Sequence, residues 1–208
     1  MKSKLIEEYL DCLFPEPKCE LLYRSDYELL IAVVLSAQST DKRVNSVTPL
    51  IYKVYPTLND LKDADLEELE GIIRPIGSYH KKALYIKNIA GILVNEYNGI
   101  VPRDRNALMK FPGVGRKTIN VFLSEFYNEP AIAVDTHVER VAKRLGLAFK
   151  KDDVLTIENK LMKKFPKENW SKLHLQLVLF GRYYCKAIKP NCSECRLKDI
   201  CKEKKKNV

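Results

Sequence analysis

A chain of 208 residues, 46% of them hydrophobic, can bury a substantial core as one large domain or two small ones. Its 36 lysines and arginines against 27 aspartates and glutamates give a net charge of +9, which favours a polyanionic partner, nucleic acid first, although a solvated basic surface gives the same balance. No apolar run is long enough to span a membrane, and residues 1–13 lack a secretory signal, so an integral membrane protein and a disulfide-stapled secreted domain are set aside; a soluble, cytoplasmic protein with reduced thiols is expected.

Along the chain, apolar residues recur at helical spacing nearly everywhere and strand alternation is absent, which predicts an all-α fold of nine or ten short helices. Cys12 and Cys19 read as ordinary buried thiols. The segment from Leu30 to Leu35 is apolar on almost every side and predicts a central helix enclosed by others. Ile86, Ile89, Ala90, Leu93 and Tyr97 form one buried stripe, and Ile119, Phe122, Leu123 and Phe126 form another. Breaks are expected at Tyr55-Pro56, Arg74-Pro75, Asn98-Gly99, Glu129-Pro130, Gly146 and Phe165-Pro166. Asp135 is placed to cap a helix running from Thr136 to Gly146, in which His137 reads as a packing or hydrogen-bonding residue. Trp170 reads as a core or interface anchor, and the Lys-rich tail from Lys202 to Lys206 as frayed.

Between Ala107 and Tyr127 lies a helix-hairpin-helix pattern. Ala107 to Lys110 form a short helix, Phe111-Pro112-Gly113-Val114-Gly115 turns the chain, and a second helix starts at Arg116. The two glycines remove side chains where the backbone turns tightly and approaches a partner, while Val114 plugs the gap between the helices. The Gly113 and Gly115 amides at a helix N-terminus suit a DNA phosphate and carry no base preference. The plain alternative is a connecting turn; Lys110, Arg116, Lys117 and the overall charge favour DNA.

Cys185, Cys192, Cys195 and Cys201 are spaced C-x6-C-x2-C-x5-C. Four thiols this close make a metal site. Soft thiolates select zinc or an iron-sulfur cluster, and structural zinc sites usually show two C-x2-C clips where this chain has one, so the spacing favours a 4Fe-4S cluster. Zinc, disulfides and unrelated free thiols are the alternatives.

Four separated motifs occur in order: LSAQSTD from Leu35 to Asp41, FPGVGRKTINV from Phe111 to Val121, VDTHVERV from Val134 to Val141, and the four-cysteine run. On these the chain resembles the endonuclease III family of DNA glycosylases with lyase activity over almost its whole length. The resemblance implies two all-helical domains flanking a cleft: residues 22–132, a six-helix domain ending in the hairpin, and residues 1–21 with 133–208, carrying the cluster at 185–201. It implies a monomer that acts on double-stranded DNA containing damaged bases or abasic sites, nucleoid-associated in a bacterium.

By that resemblance Lys117 is the nucleophile and Asp135 its acidic partner. A neutral amine can attack the anomeric carbon and hold the sugar as a Schiff base, whereas an ammonium is inert. Lys117 falls in the first turn of its helix, where the positive end of the macrodipole opposes a second positive charge. A fixed carboxylate at Asp135 would stabilise the positive sugar-like transition state and relay protons. Gln38 matches the residue that fills the space left by an extruded nucleotide. A second wedge, commonly Leu, is here Ser78, so either Tyr79 takes over or that wedge is weaker. Lys186 and Lys189, between the first two cysteines, are candidate phosphate contacts. Phe180 stands where relatives often carry His. Two other readings stay open: a monofunctional adenine-type relative, which would lack the lysine at 117, and a non-catalytic helix-hairpin-helix binder.

Overall fold

The structure, a computed structural model, describes residues 2–204, 206 and 207. Among them are eleven α-helices and no β-strand, a couple of helices more than the sequence pattern suggests. The chain divides into two compact units, Glu20–Tyr127 and Met1–Cys19 with Asn128–Val208. No helix among the described residues is long and apolar enough to cross a membrane.

The unit Glu20–Tyr127 contains α2 (Asp26–Ser36), α3 (Asp41–Val54), α4 (Leu58–Lys62), α5 (Leu66–Ile73), α6 (Tyr79–Glu96), α7 (Arg105–Leu108) and α8 (Arg116–Tyr127). Its centre is α2, buried at every position from Glu28 to Leu35 and packed on α3, α6 and α8. A helix apolar all round has to be enclosed in this way. The starts are written locally: Ser25, Thr40, Thr57, Asp65 and Asp104 each accept a bond from a first-turn amide, and Thr57 with Asp60 closes a reciprocal capping box. Each such cap is worth about 1 kcal/mol. Pro49 lies inside α3 without ending it. On α6 and α8 the expected stripes are buried, except that Tyr97 is half-buried at the C-cap of α6 and Phe126 is 36% exposed.

The second unit contains α1 (Lys2–Leu13), α9 (Thr136–Arg144), α10 (Val154–Lys164) and α11 (Trp170–Leu179), with a short 3-10 turn at Lys167–Asn169. Its core gathers Ile6 and Leu10 of α1, Val138 and Val141 of α9, Leu161 of α10 and Leu177 of α11, with Leu197 from the cysteine segment. Trp170 packs against this core and donates its indole N–H to the Phe165 carbonyl at 3.0 Å, which makes it a core anchor. One expectation fails here: Cys12 is exposed and Cys19 only half-buried. Ile6, Tyr9 and Leu10 define the inward face of α1, and position 12 falls outside it. After α11 the chain continues into a π-helical turn, Phe180–Tyr184, closed by Cys185 N to Phe180 O at 2.7 Å. Such turns are rare and cluster at functional sites.

Candidate functional site

The hairpin is built by a tight turn at Phe111–Val114, with Val114 N donating to Phe111 O at 3.1 Å. Pro112 occupies its second position and Gly113 its third, at φ +75°, the geometry of a type II turn. A β carbon on Gly113 would also meet Tyr85 Cδ2 of α6 at 2.6 Å, so only glycine fits. Gly115 differs from the sequence expectation. Its backbone is ordinary and open space surrounds it, so the fold makes no demand for glycine there. Its carbonyl accepts Ile119 N at 3.0 Å, the first bond of α8. The first helix runs Arg105–Leu108, two residues earlier than expected, because Asp104 caps it through Ala107 N at 2.8 Å. Arg105 Nη1 donates to Asn120 Oδ1 at 2.8 Å and pins α7 to α8. Phe111 and Val114 are buried as the plug, whereas Lys110, Gly113, Gly115, Arg116 and Lys117 are exposed. Lys117 is the second residue of α8.

Two further candidates sit in strained backbone. Gln38 follows the end of α2 at φ +55°, and Ser78 precedes α6 at φ +57°; both are exposed. Left-handed backbone is rare for residues other than glycine, asparagine and aspartate, and costs on the order of 1 kcal/mol. Among the described residues the other non-glycine positions with positive φ are Asn98, Asn128 and Lys189. With the two asparagines set aside, all the strained positions are ones the sequence assigns to DNA. The Tyr79 and His80 rings lie 4.0 Å apart between centres, tilted by 32°, and His80 Nδ1 lies 2.5 Å from Glu70 Oε2.

In the other unit, Asp135 caps α9 by accepting from His137 N at 2.9 Å and Val138 N at 2.8 Å. Both bonds use Oδ1, leaving Oδ2 without a hydrogen bond among the described residues. Arg140 Nη2 lies 3.2 Å from His137 Nδ1, and a guanidinium only donates, so Nδ1 is an acceptor and the ring is neutral. Burial likewise holds this imidazole below its ordinary value, against the pull of Asp135 and with help from Arg140 and Arg182. His137 also packs on Gly181, where a β carbon would meet its Cβ at 2.8 Å.

The far end of α9 reaches the cysteines. Cys185, Cys192, Cys195 and Cys201 line one small cavity with Arg144, Phe180 and Tyr184. Phe180 is 1% exposed, stacked on Tyr184 at 5.9 Å and edge-on to Tyr9 at 6.1 Å, so the residue without an account in sequence is an aromatic wall of this cavity. Arg144 donates to Cys185 Sγ at 3.4 Å and to Lys186 O at 2.7 Å, and its carbonyl accepts Lys202 N at 2.6 Å and lies 3.3 Å from Cys201 Sγ. Arg140 donates to Cys185 O at 3.1 Å and Gly181 O at 2.8 Å. Burial pushes the Cys185 and Cys195 thiols up, partly offset at Cys185 by Arg144. A thiol so placed becomes a ligand when a cation in the cavity displaces its proton. Four soft donors around one cavity fit a thiophilic group. Among the described residues, no group of three or more His, Cys, Asp or Glu side chains is arranged to hold a lone metal ion. Lys186, Ile188 and Lys189 are exposed in the loop between the first two cysteines.

An all-helical fold with this hairpin defines a class: residues 31–167 match the model of the HhH-GPD superfamily of base excision DNA repair proteins. Endonuclease III of Bacillus subtilis (strain 168) is 50% identical over 209 residues, covering 99% of this chain and 95% of that protein. Endonuclease III of Escherichia coli (strain K12) is 45% identical over 192 residues, covering 92% of this chain and 90% of that protein. A solved structure of a trapped covalent endonuclease III–DNA intermediate superposes with a TM-score of 0.92 at 51% identity, covering 98% of this chain and 96% of that one. The chain belongs to the endonuclease III family within that superfamily.

Proposed function

We propose that this protein is a base excision repair DNA N-glycosylase with abasic-site lyase activity, acting as a soluble cytoplasmic monomer on double-stranded DNA. Its substrates are oxidised pyrimidines. The observation that carries the reading is Lys117, exposed in the first turn of α8 directly behind the phosphate-binding hairpin, in a chain similar to one trapped covalently on DNA.

Lys117 Nζ, as the neutral amine, bonds to C1′ of the extruded nucleotide as the glycosidic bond breaks and the base leaves with a proton. Asp135 stabilises the positive charge that gathers on the sugar, and its Oδ2, which the helix cap does not use, is the oxygen for that role. Ring opening gives the Schiff base. Its electron sink acidifies C2′, a proton leaves, and the 3′ phosphate departs by β-elimination; hydrolysis then frees the lysine. Gly113, Gly115 and Arg116 hold phosphate, with Val114 as the plug beneath them, while Gln38, Ser78 and Tyr79 occupy the gap in the duplex and Lys186 and Lys189 grip the backbone.

Cys185, Cys192, Cys195 and Cys201 hold a 4Fe-4S cluster. The four thiols line one cavity, and their spacing, with one C-x2-C clip rather than two, supports a multi-iron group over zinc. When bound, the cluster cross-links the C-terminal segment and takes no part in the glycosidic chemistry. Borohydride trapping on duplexes carrying different single lesions tests the enzymatic reading: a covalent adduct is expected with oxidised pyrimidines and abasic sites and none with an intact duplex. An adduct only with mispaired adenine, or none at all, would overturn it.

A further inference from the structure

Lys82 on α6 is 5% exposed, and no carboxylate pairs with it among the described residues. Its ammonium donates to Leu35 O at 2.9 Å and to Ala37 O at 2.5 Å. These carbonyls end α2, whose unpaired C-terminal groups carry the negative end of the macrodipole. A buried lysine without a counter-ion is costly, and a neutral side chain would fill the same space. What the charge gains lies one residue further on. Ala37 leads straight into Gln38, the residue held at φ +55°. Four residues before Lys82 is Ser78, at φ +57°, whose carbonyl accepts Lys82 N at 3.2 Å. The two turns also meet through backbone: a β carbon on Gly77 would lie 3.4 Å from Gln38 O.

We propose that Lys82 is a positioning residue for nucleotide extrusion, its ammonium locking the Gln38 turn against the Ser78 turn so that both enter the duplex as one rigid wedge. The proposal rests on the reading of Gln38 and Ser78 as inserting residues. An unsupported pair of loops would close on the gap only after ordering, and insertion needs side chains held to within a fraction of an ångström. Tyr85, one turn along α6, seats Gly113 of the hairpin, so a single helix sets both the wedge and the phosphate-binding turn.

The test compares an abasic site in a duplex, which demands insertion, with the same site in a single strand, which does not. Both are normalised to the parent protein, whose Lys117-dependent trapping is established first, so that failure of the lyase reading is seen separately. Lys82→Met is expected to slow single-turnover cleavage of the duplex about tenfold or more while single-strand trapping stays within about twofold. Gly77→Val, at an exposed position whose β carbon would lie 3.4 Å from Gln38 O, adds bulk where the two turns meet and is expected to give the same duplex-selective loss; it decides the matter if Lys82→Met does not fold. Equal loss on both substrates, or an unchanged duplex rate in either variant, would overturn the proposal.

Discussion

Single atoms separate fold from function at several positions. Gly113 and Gly115 look equivalent in sequence, yet of the two only Gly113 has positive φ and an aromatic ring where a β carbon would sit. Gly113→Ala is therefore expected to destabilise by about 2–4 kcal/mol and Gly115→Ala by less than about 1 kcal/mol, read from urea unfolding midpoints. If Gly115 serves DNA, its variant instead loses duplex affinity. Asp135 caps α9, and substitution can divide that task from the proposed catalytic one. Asn caps a helix as well as Asp does, so Asp135→Asn is expected to keep the parental melting temperature and lose single-turnover activity, whereas Asp135→Ala loses activity and about 1 kcal/mol of stability. Activity surviving in Asp135→Asn would reduce the carboxylate to a cap.

At the scale of the element, α9 joins the Asp135 cap to the cysteine loop through Arg140 and Arg144. Its His137 gives this unit a pH dependence whose sign follows from the lowered folded value. The unfolded imidazole takes up its proton near its ordinary value of 6.5 and the folded one only at lower pH, so stability falls as pH drops through that window. His137→Gln lacks this term. Its unfolding midpoint should approach that of the parent as pH falls below about 6.5, and parallel curves would contradict the account. Helix breaks and the Asp135 cap were legible because prolines, glycines and caps act through their own backbone, and every expected proline or glycine break lies between helices. The αL backbone at Gln38 and Ser78 was not, since neither residue type prefers it and tertiary bonds such as Lys82 to Ala37 O hold it there. Nor was the π-helical turn, where Gly181 lets His137 approach.

For the whole molecule, the charge of +9 becomes measurable as salt dependence. Lys186→Ala with Lys189→Ala is expected to flatten the plot of log affinity against log salt by about 1.8, since each lost phosphate contact removes about 0.9 from the slope. An unchanged slope would show that these lysines serve solubility alone. The four motifs carried the family in sequence, because each is defined by residue type and order. What spacing left open, such as the aromatic wall at Phe180 and the absence of any demand of the fold for glycine at 115, depends on neighbours remote in the chain. The central claim is a covalent bond between one side chain and deoxyribose, and its most direct test is borohydride trapping on an abasic duplex followed by mass spectrometry of the cross-linked peptide. The account requires the adduct on Lys117, with none formed by Lys117→Gln; an adduct on another residue, or equal trapping by the variant, would contradict it.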